Sequence, residues 1–203
     1  VNDLATNTYT LTYDGLGVAN NNVIPDPYPG IAAATVTHFG VDTNIAVFED
    51  VYYWDGLSPG NGYGNLTNVA KGPSGTPTAA PAYGVVSITP IYSNNFVRII
   101  SCDFASLDDG VGDATTNLIV VRPYPAEVYP YLKFLSIAGD VDNSTHTHID
   151  FATNYPSAGG APIEGPINTT LQIYWQSEGG RVAIDNVHFE IVGPTPPVAT
   201  DQV

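Results

Sequence analysis

Twenty glycines and 17 prolines are spread along all of the 203 residues. That punctuation constrains the fold more than any other feature. A long helix needs apolar residues at i, i+3, i+4 and i+7 without breakers, and no stretch keeps that spacing for more than a turn. Short runs of β-branched and aromatic residues lie between the turn clusters instead, which is the pattern of strands. Strands are expected at Thr8–Tyr13, Ala34–Val41, Ile45–Trp54, Val85–Tyr92, Phe96–Phe104, Asn117–Arg122, Val128–Ile137, His146–Ala152, Asn168–Gln176 and Arg181–Val192. About ten strands with hairpin-like connections predict an all-β fold, a two-layer antiparallel β-sandwich of the jelly-roll type.

Two segments, Gly56–Ala82 and Asn154–Pro166, are too rich in Gly, Pro and Ser to be strands and read as long loops. One domain is expected over residues 1–192. The Pro-rich segment Gly193–Val203 reads as a C-terminal arm. Methionine is absent, at position 1 included, as in a mature product whose leader has been removed. No apolar run approaches the roughly 18 residues of a membrane helix.

Charge restricts the partners. Five Lys and Arg stand against 20 Asp and Glu, for a net charge of −15. Lys71, Arg98, Arg122, Lys133 and Arg181 are scattered, so there is no basic patch for nucleic acid or for an anionic membrane. The charged fraction is 12%, against about a quarter in an ordinary soluble domain. The exterior must therefore be Thr, Asn, Ser, Gln, Gly and Tyr, which suits an exported protein at a cell surface or in an extracellular matrix. Cys102 is the single cysteine. It is expected to be buried and inert, on one face with Ile100 and Phe104. Asn65, Asn143 and Asn168 begin Asn-x-Thr sequons and are candidate glycosylation sites.

Several groups could carry chemistry. His146, His148 and Asp150 alternate, so a strand projects all three from one face, where two imidazoles and a carboxylate could hold zinc or copper. Asp140 and Asp142, and separately Asp108, Asp109 and Asp113, form acidic loops that could share a calcium ion or remain solvated turns. Along Leu171–Gln176, Trp175 faces the core while Gln172, Tyr174 and Gln176 face away, a strip suited to stacking on a sugar ring and bonding its hydroxyls. Tyr53 in Tyr52-Tyr-Trp54 is a further glycan-contact candidate. No Gly-x-Ser-x-Gly elbow or Cys-His signature is present, and no Glu sits in a recognisable catalytic context, so an enzyme is not expected.

Two stretches carry a resemblance. Tyr9-Thr-Leu-Thr-Tyr-Asp-Gly-Leu16 with Val23-Ile-Pro-Asp-Pro-Tyr-Pro-Gly-Ile31, and Thr169–Trp175 with Arg181-Val-Ala-Ile-Asp-Asn-Val-His-Phe-Glu-Ile191, resemble the opening and closing segments of secreted β-sandwich domains. These are the jelly rolls, similar to carbohydrate-binding modules, of fungal and bacterial exported proteins. The resemblance implies a sandwich closed by its last strand, with Val182, Ile184, Val187 and Phe189 in the core and a change of register at Asp185–Asn186. Three functions follow as expectations. The first is a non-enzymatic extracellular glycan-binding protein. The second is a structural subunit that polymerises through terminal arms or strand donation. The third is a metal-dependent enzyme centred on His146 and His148.

Overall fold

The computed structural model describes residues 4–42, 47–49, 51–54, 63, 66–72, 82–107, 114–115, 119–124, 134–135, 140–141, 145–154, 162–177 and 181–194. In chain order the strands are β1 (Leu4–Leu11), β2 (Ala34–Asp42), β3 (Val47–Glu49), β4 (Tyr52–Trp54) and β5 (Val69–Lys71). They continue with β6 (Ala82–Pro90), β7 (Phe96–Ser106), β8 (Ala114–Thr115), β9 (Ile119–Tyr124) and β10 (Phe134–Leu135). The last are β11 (Asp140–Val141), β12 (Thr147–Asp150), β13 (Ile163–Glu164), β14 (Thr170–Ser177) and β15 (Val182–Pro194), and among the described residues the one helix is the short α1 (Phe151–Asn154), after β12.

The strands form an antiparallel β-sandwich, as the pattern predicts. One sheet runs β12-β7-β15-β5-β4, with β1 also on β15 and β13 also on β7. The other runs β10-β9-β14-β6-β2-β3. β8 and β11 pair separately. Every named pairing is antiparallel, and the β6–β7 turn carries the chain from one layer to the other. Alternation on facing strands supplies the core between them. Val36, Val86, Ile88, Leu171, Ile173 and Trp175 of the second sheet meet Val97, Ile99, Phe104, Ile184 and Phe189 of the first.

Trp175 is the largest fully buried side chain. Its indole N–H donates to the Val182 carbonyl at 3.1 Å, and its ring lies 6.4 Å from that of Phe104. Gly84 is paired opposite it, and a Cβ there would stand 2.1 Å from the indole. Absence of a side chain at 84 is what makes room for Trp175.

The β7–β15 ladder contains two offsetting irregularities, between Asp185 and His188 and between His188 and Phe189. The first inserts a residue into β15 and the second inserts Ile100 into β7. Asn186 takes the left-handed conformation at φ 49°. Each insertion reverses the in–out alternation of its strand. Val182, Ile184, Val187 and Phe189 are therefore all in the core, with the register change at Asp185–Asn186. On β7 the same device puts Val97, Ile99, Cys102 and Phe104 inside and leaves Ile100 half-buried. Simple alternation placed Ile100 with Cys102, and the inserted residue is the reason it fails.

Other boundaries shift. Ile45–Trp54 divides into β3 and β4, and His146–Ala152 into β12 and α1. β1 begins at Leu4 instead of Thr8. β15 extends through Gly193 and Pro194, both assigned to the arm, while 195–203 lies outside the described residues. Within the long 56–82 segment, β5 was not anticipated. It exists because Tyr63, Leu66 and Val69 form a second small apolar cluster with Ala105 and Ala183, flanked by Trp54 and Leu107.

Candidate functional site

The outward face of the second sheet is the best-defined candidate. Pairing registers place its side chains in rows across β9, β14, β6 and β2. One row is Tyr124, Thr170, Thr89 and Thr35, and the next is Arg122, Gln172, Ser87 and Thr37. A third is Val120, Tyr174, Val85 and Phe39. Neighbouring strands lie about 4.8 Å apart, so each row spans about 14 Å. Arg122 is the one charged residue in the three rows.

The middle of this face is a connected network. The guanidinium carbon of Arg122 stacks 3.9 Å from the centroid of the Tyr174 ring, and its Nη2 donates to the Tyr174 hydroxyl. That hydroxyl donates to Gln172 Oε1 at 2.9 Å, and Gln172 Nε2 donates to Ser87 Oγ at 2.9 Å. Phe39 meets the Tyr174 ring edge-on at 6.5 Å. Among the described residues Arg122 forms no ion pair, and its Nε is buried without a hydrogen-bond acceptor. A guanidinium lying on an aromatic ring trades hydration for the π-face.

These contacts alter the expected strip. Gln172 and Tyr174 do face away from the core, but Gln172 is only 3% exposed and one face of Tyr174 is covered by Arg122. They form a hydrogen-bonded, largely covered part of the same face. The Gln176 side chain lies outside the described residues. Open surface is supplied by the row above. Tyr124 is 56% exposed, Thr35 is exposed, and Thr170 and Thr89 are half-buried with their hydroxyls 2.8 Å apart. Ile91, Tyr92 and Ile167 are also exposed, on the turns at this same end of the sandwich. Tyr53, by contrast, is buried on β4, and its hydroxyl donates to Asn68 Oδ1 at 2.6 Å. It is not a surface platform.

The histidine cluster lies on the outward face of the first sheet. His148 is paired with Asp103, and Asp103 with Asp185. His148 Nδ1 stands 2.6 Å from Asp103 Oδ1, and His146 Nε2 stands 3.9 Å from the same oxygen. Asn186 Nδ2 donates to Asp103 Oδ2 at 2.8 Å. The carboxylate that meets the imidazoles is thus Asp103 from β7. Asp150 is engaged elsewhere: its Oδ1 accepts the Ala152 and Thr153 amides at 2.9 and 3.2 Å, capping α1. Among the described residues no group of three or more His, Cys, Asp and Glu is arranged to hold a metal ion. Asp108, Asp109, Asp113 and Asp142 lie outside the described residues, as does the side chain of Asp140.

Beneath this cluster, burial pushes the Asp185 carboxyl up to about 8, helped by the charges of Asp14 and Asp103 and opposed by the Asn186 amide that Asp185 accepts. Asp185 is therefore largely protonated below about pH 8. A third constellation, Asp26–His38–Tyr13, has the order of a proton relay. Asp26 Oδ1 stands 3.3 Å from His38 Nδ1, and the Tyr13 hydroxyl 3.1 Å from His38 Nε2. Tyr13 is fully buried and His38 is 6% exposed. Burial raises the Tyr13 hydroxyl well above its ordinary range, so the tyrosinate a nucleophile would require is strongly disfavoured. These residues tie β2 to the segment after β1.

Cys102 is buried, and its thiol is pushed up by burial and by Asp103. Of the sequons, Asn168 is exposed in the turn before β14 at φ 55°, and Asn65 and Asn143 lie outside the described residues. Among the described residues no helix is long and apolar enough to cross a membrane. No protein-family model matches the chain, and no curated protein matches it.

Tyr124 belongs to a Pro-Tyr-rich stretch with Tyr129 and Tyr131 that offers aromatic contacts, whereas no local motif marks Arg122, Asp103 or Asp185 as site residues. Alternation along Ile119–Tyr124 could have put Arg122 and Tyr124 on one face. The partners of Asp103 depend on strand pairings that no local pattern encodes.

Proposed function

We propose that this chain is an exported, non-enzymatic glycan-binding β-sandwich, acting at a cell surface or in an extracellular matrix, with the outward face of the second sheet as its contact surface. One observation carries the reading: exposed Tyr124 stands in line with the hydroxyls of Thr170, Thr89 and Thr35, directly above the Arg122–Tyr174–Gln172–Ser87 network. A ring that can stack on a pyranose beside a row of uncharged donors and acceptors suits a neutral polyol. The fixed network in the adjacent rows lowers the ordering cost of binding. Likeness of the terminal segments to carbohydrate-binding jelly rolls points the same way.

The test is a glycan array and a polysaccharide pull-down, each run with and without calcium. Expected is a saccharide hit that Tyr124→Ala weakens about tenfold, the scale of one lost aromatic contact, and that Arg122→Ala weakens as well. Absence of any hit under both conditions overturns glycan binding. A hit indifferent to both substitutions overturns this face as its site.

A further inference from the structure

The edge strands of the first sheet are not alike. β12 and β13, which both lie on β7 and end within the described residues, have four and two residues. Short edge strands are a common protection against unwanted pairing. β1 is different, with eight residues in unbroken register on β15, from Leu4 opposite Pro194 to Leu11 opposite Val187.

Its sequence, Leu4-Ala-Thr-Asn-Thr-Tyr-Thr-Leu11, holds no charge and no proline, and the pairing has no bulge. The usual devices that blunt an edge are therefore missing. Tyr9 anchors the strand by stacking on Phe189 at 5.4 Å, and Leu11 is in the core. Leu4, Thr6, Asn7, Thr8 and Thr10 are exposed. Among the described residues β15 is its single partner strand, so alternate backbone N–H and C=O groups face outward along its second edge.

We propose that this edge is a homotypic docking surface, where β1 of a second copy adds antiparallel and the two first sheets become one. Two observations select a second copy over a different partner. An antiparallel edge is self-complementary about a two-fold axis, so one strand supplies both sides of the ladder. Two copies at −15 each repel, and a charge-free strand is where they can approach. That strand equally lacks any charge that could select a basic or acidic partner. Isologous contact closes at two, so the product is a dimer and not a fibre. The surface lies on the opposite layer from the proposed glycan face and does not depend on it.

Sedimentation velocity on the full chain from about 1 μM to about 1 mM tests this. The expected result is a monomer–dimer equilibrium, with β1 amides exchanging more slowly at the higher concentration. The double variant Thr6→Lys/Thr8→Lys places charge along the edge and should weaken dimerisation at least about tenfold. A control, Ser93→Lys/Asn94→Lys on the exposed β6–β7 turn, changes net charge by the same two units and should dimerise at least as well as the parent. A parent that stays monomeric throughout overturns the proposal, and is also what an edge reserved for another protein's strand would give. Dimerisation of the edge variant equal to that of the control overturns it too. If the edge variant does not fold, amide exchange of the parent decides: rates at β1 that ignore concentration overturn the proposal.

Discussion

Asp185→Asn should stabilise this protein increasingly as pH rises, because the carboxyl it removes is held neutral by the fold. Asp185 is 4% exposed, and its carboxyl is raised from 3.8 to about 8, mainly by burial and then by Asp14 and Asp103. In the unfolded chain the same group ionises near 3.8. Between those values the folded state holds a proton that the unfolded state has released. Its contribution to stability is therefore fully present below pH 3.8 and is lost progressively as pH rises through about 8. At about 1.4 kcal/mol for each pH unit, the loss is about 4 kcal/mol at pH 7 and about 5–6 kcal/mol once the folded carboxyl ionises. Asparagine is neutral at every pH and keeps an oxygen for the Asn186 amide, which Asp185 accepts at 2.7 Å. Urea unfolding of parent and variant at fixed salt, in steps from pH 4 to pH 9, measures the difference. General repulsion at −15 acts on both proteins and cancels. The variant should match the parent near pH 4 and exceed it by several kcal/mol at pH 8. A difference that stays flat across the range would mean that Asp185 ionises normally and would refute the reasoning.

Two further perturbations test the packing. Gly84→Ala puts a methyl group 2.1 Å from the fully buried Trp175 indole. It should cost about 3 kcal/mol or more in chemical denaturation and shift tryptophan emission, and a cost under about 0.5 kcal/mol would show that Trp175 can move aside. Cys102 is buried with its thiol raised, so a thiol reagent should label it only as fast as the protein opens. Labelling in native buffer at the rate seen in urea would contradict that burial.

The sandwich was legible because strand alternation and turn residues are local signals, and each sheet has one apolar face. Leu171, Ile173 and Trp175 turn inward as their spacing requires, and the register change at Asp185–Asn186 occurs where the apolar residues of β15 slip from 184 to 187. Pairwise features were not legible. The inserted Ile100 exists only relative to β15. Asp103 joins the histidines only because β7 and β12 are neighbours in the register that sets His148 opposite it. Asp150, adjacent to those histidines in sequence, is taken by the amides of α1, a competition between local capping and distant clustering that spacing alone does not decide. Tyr53 precedes a long segment, which points to the surface, but β4 packs it against the core.

Scarce charge did not discriminate, at the level of sequence, between binding a glycan and binding another copy, because both tolerate a neutral polar exterior. The two proposals rest on different kinds of group. On the second sheet's outward face β14 is paired on both sides over Leu171–Trp175, so side chains are what it presents, chiefly the Tyr124 ring and the hydroxyls of Thr35, Thr89 and Thr170, with Gln172, Val85 and Val120 buried. Along β1 the free groups are backbone N–H and C=O, which fit a strand. Most of the described ionic contacts fall in the other layer: Arg98 with Glu164 and Glu190, and His148 with Asp103. β1 itself carries no charge and the three rows carry only Arg122, and the two surfaces lie on different sheets. Tyr124→Ala should leave dimerisation untouched, and Thr6→Lys/Thr8→Lys should leave the intrinsic affinity of each glycan site untouched. If either substitution abolishes both activities, the two surfaces are not separate and the division of roles between side chains and backbone is wrong.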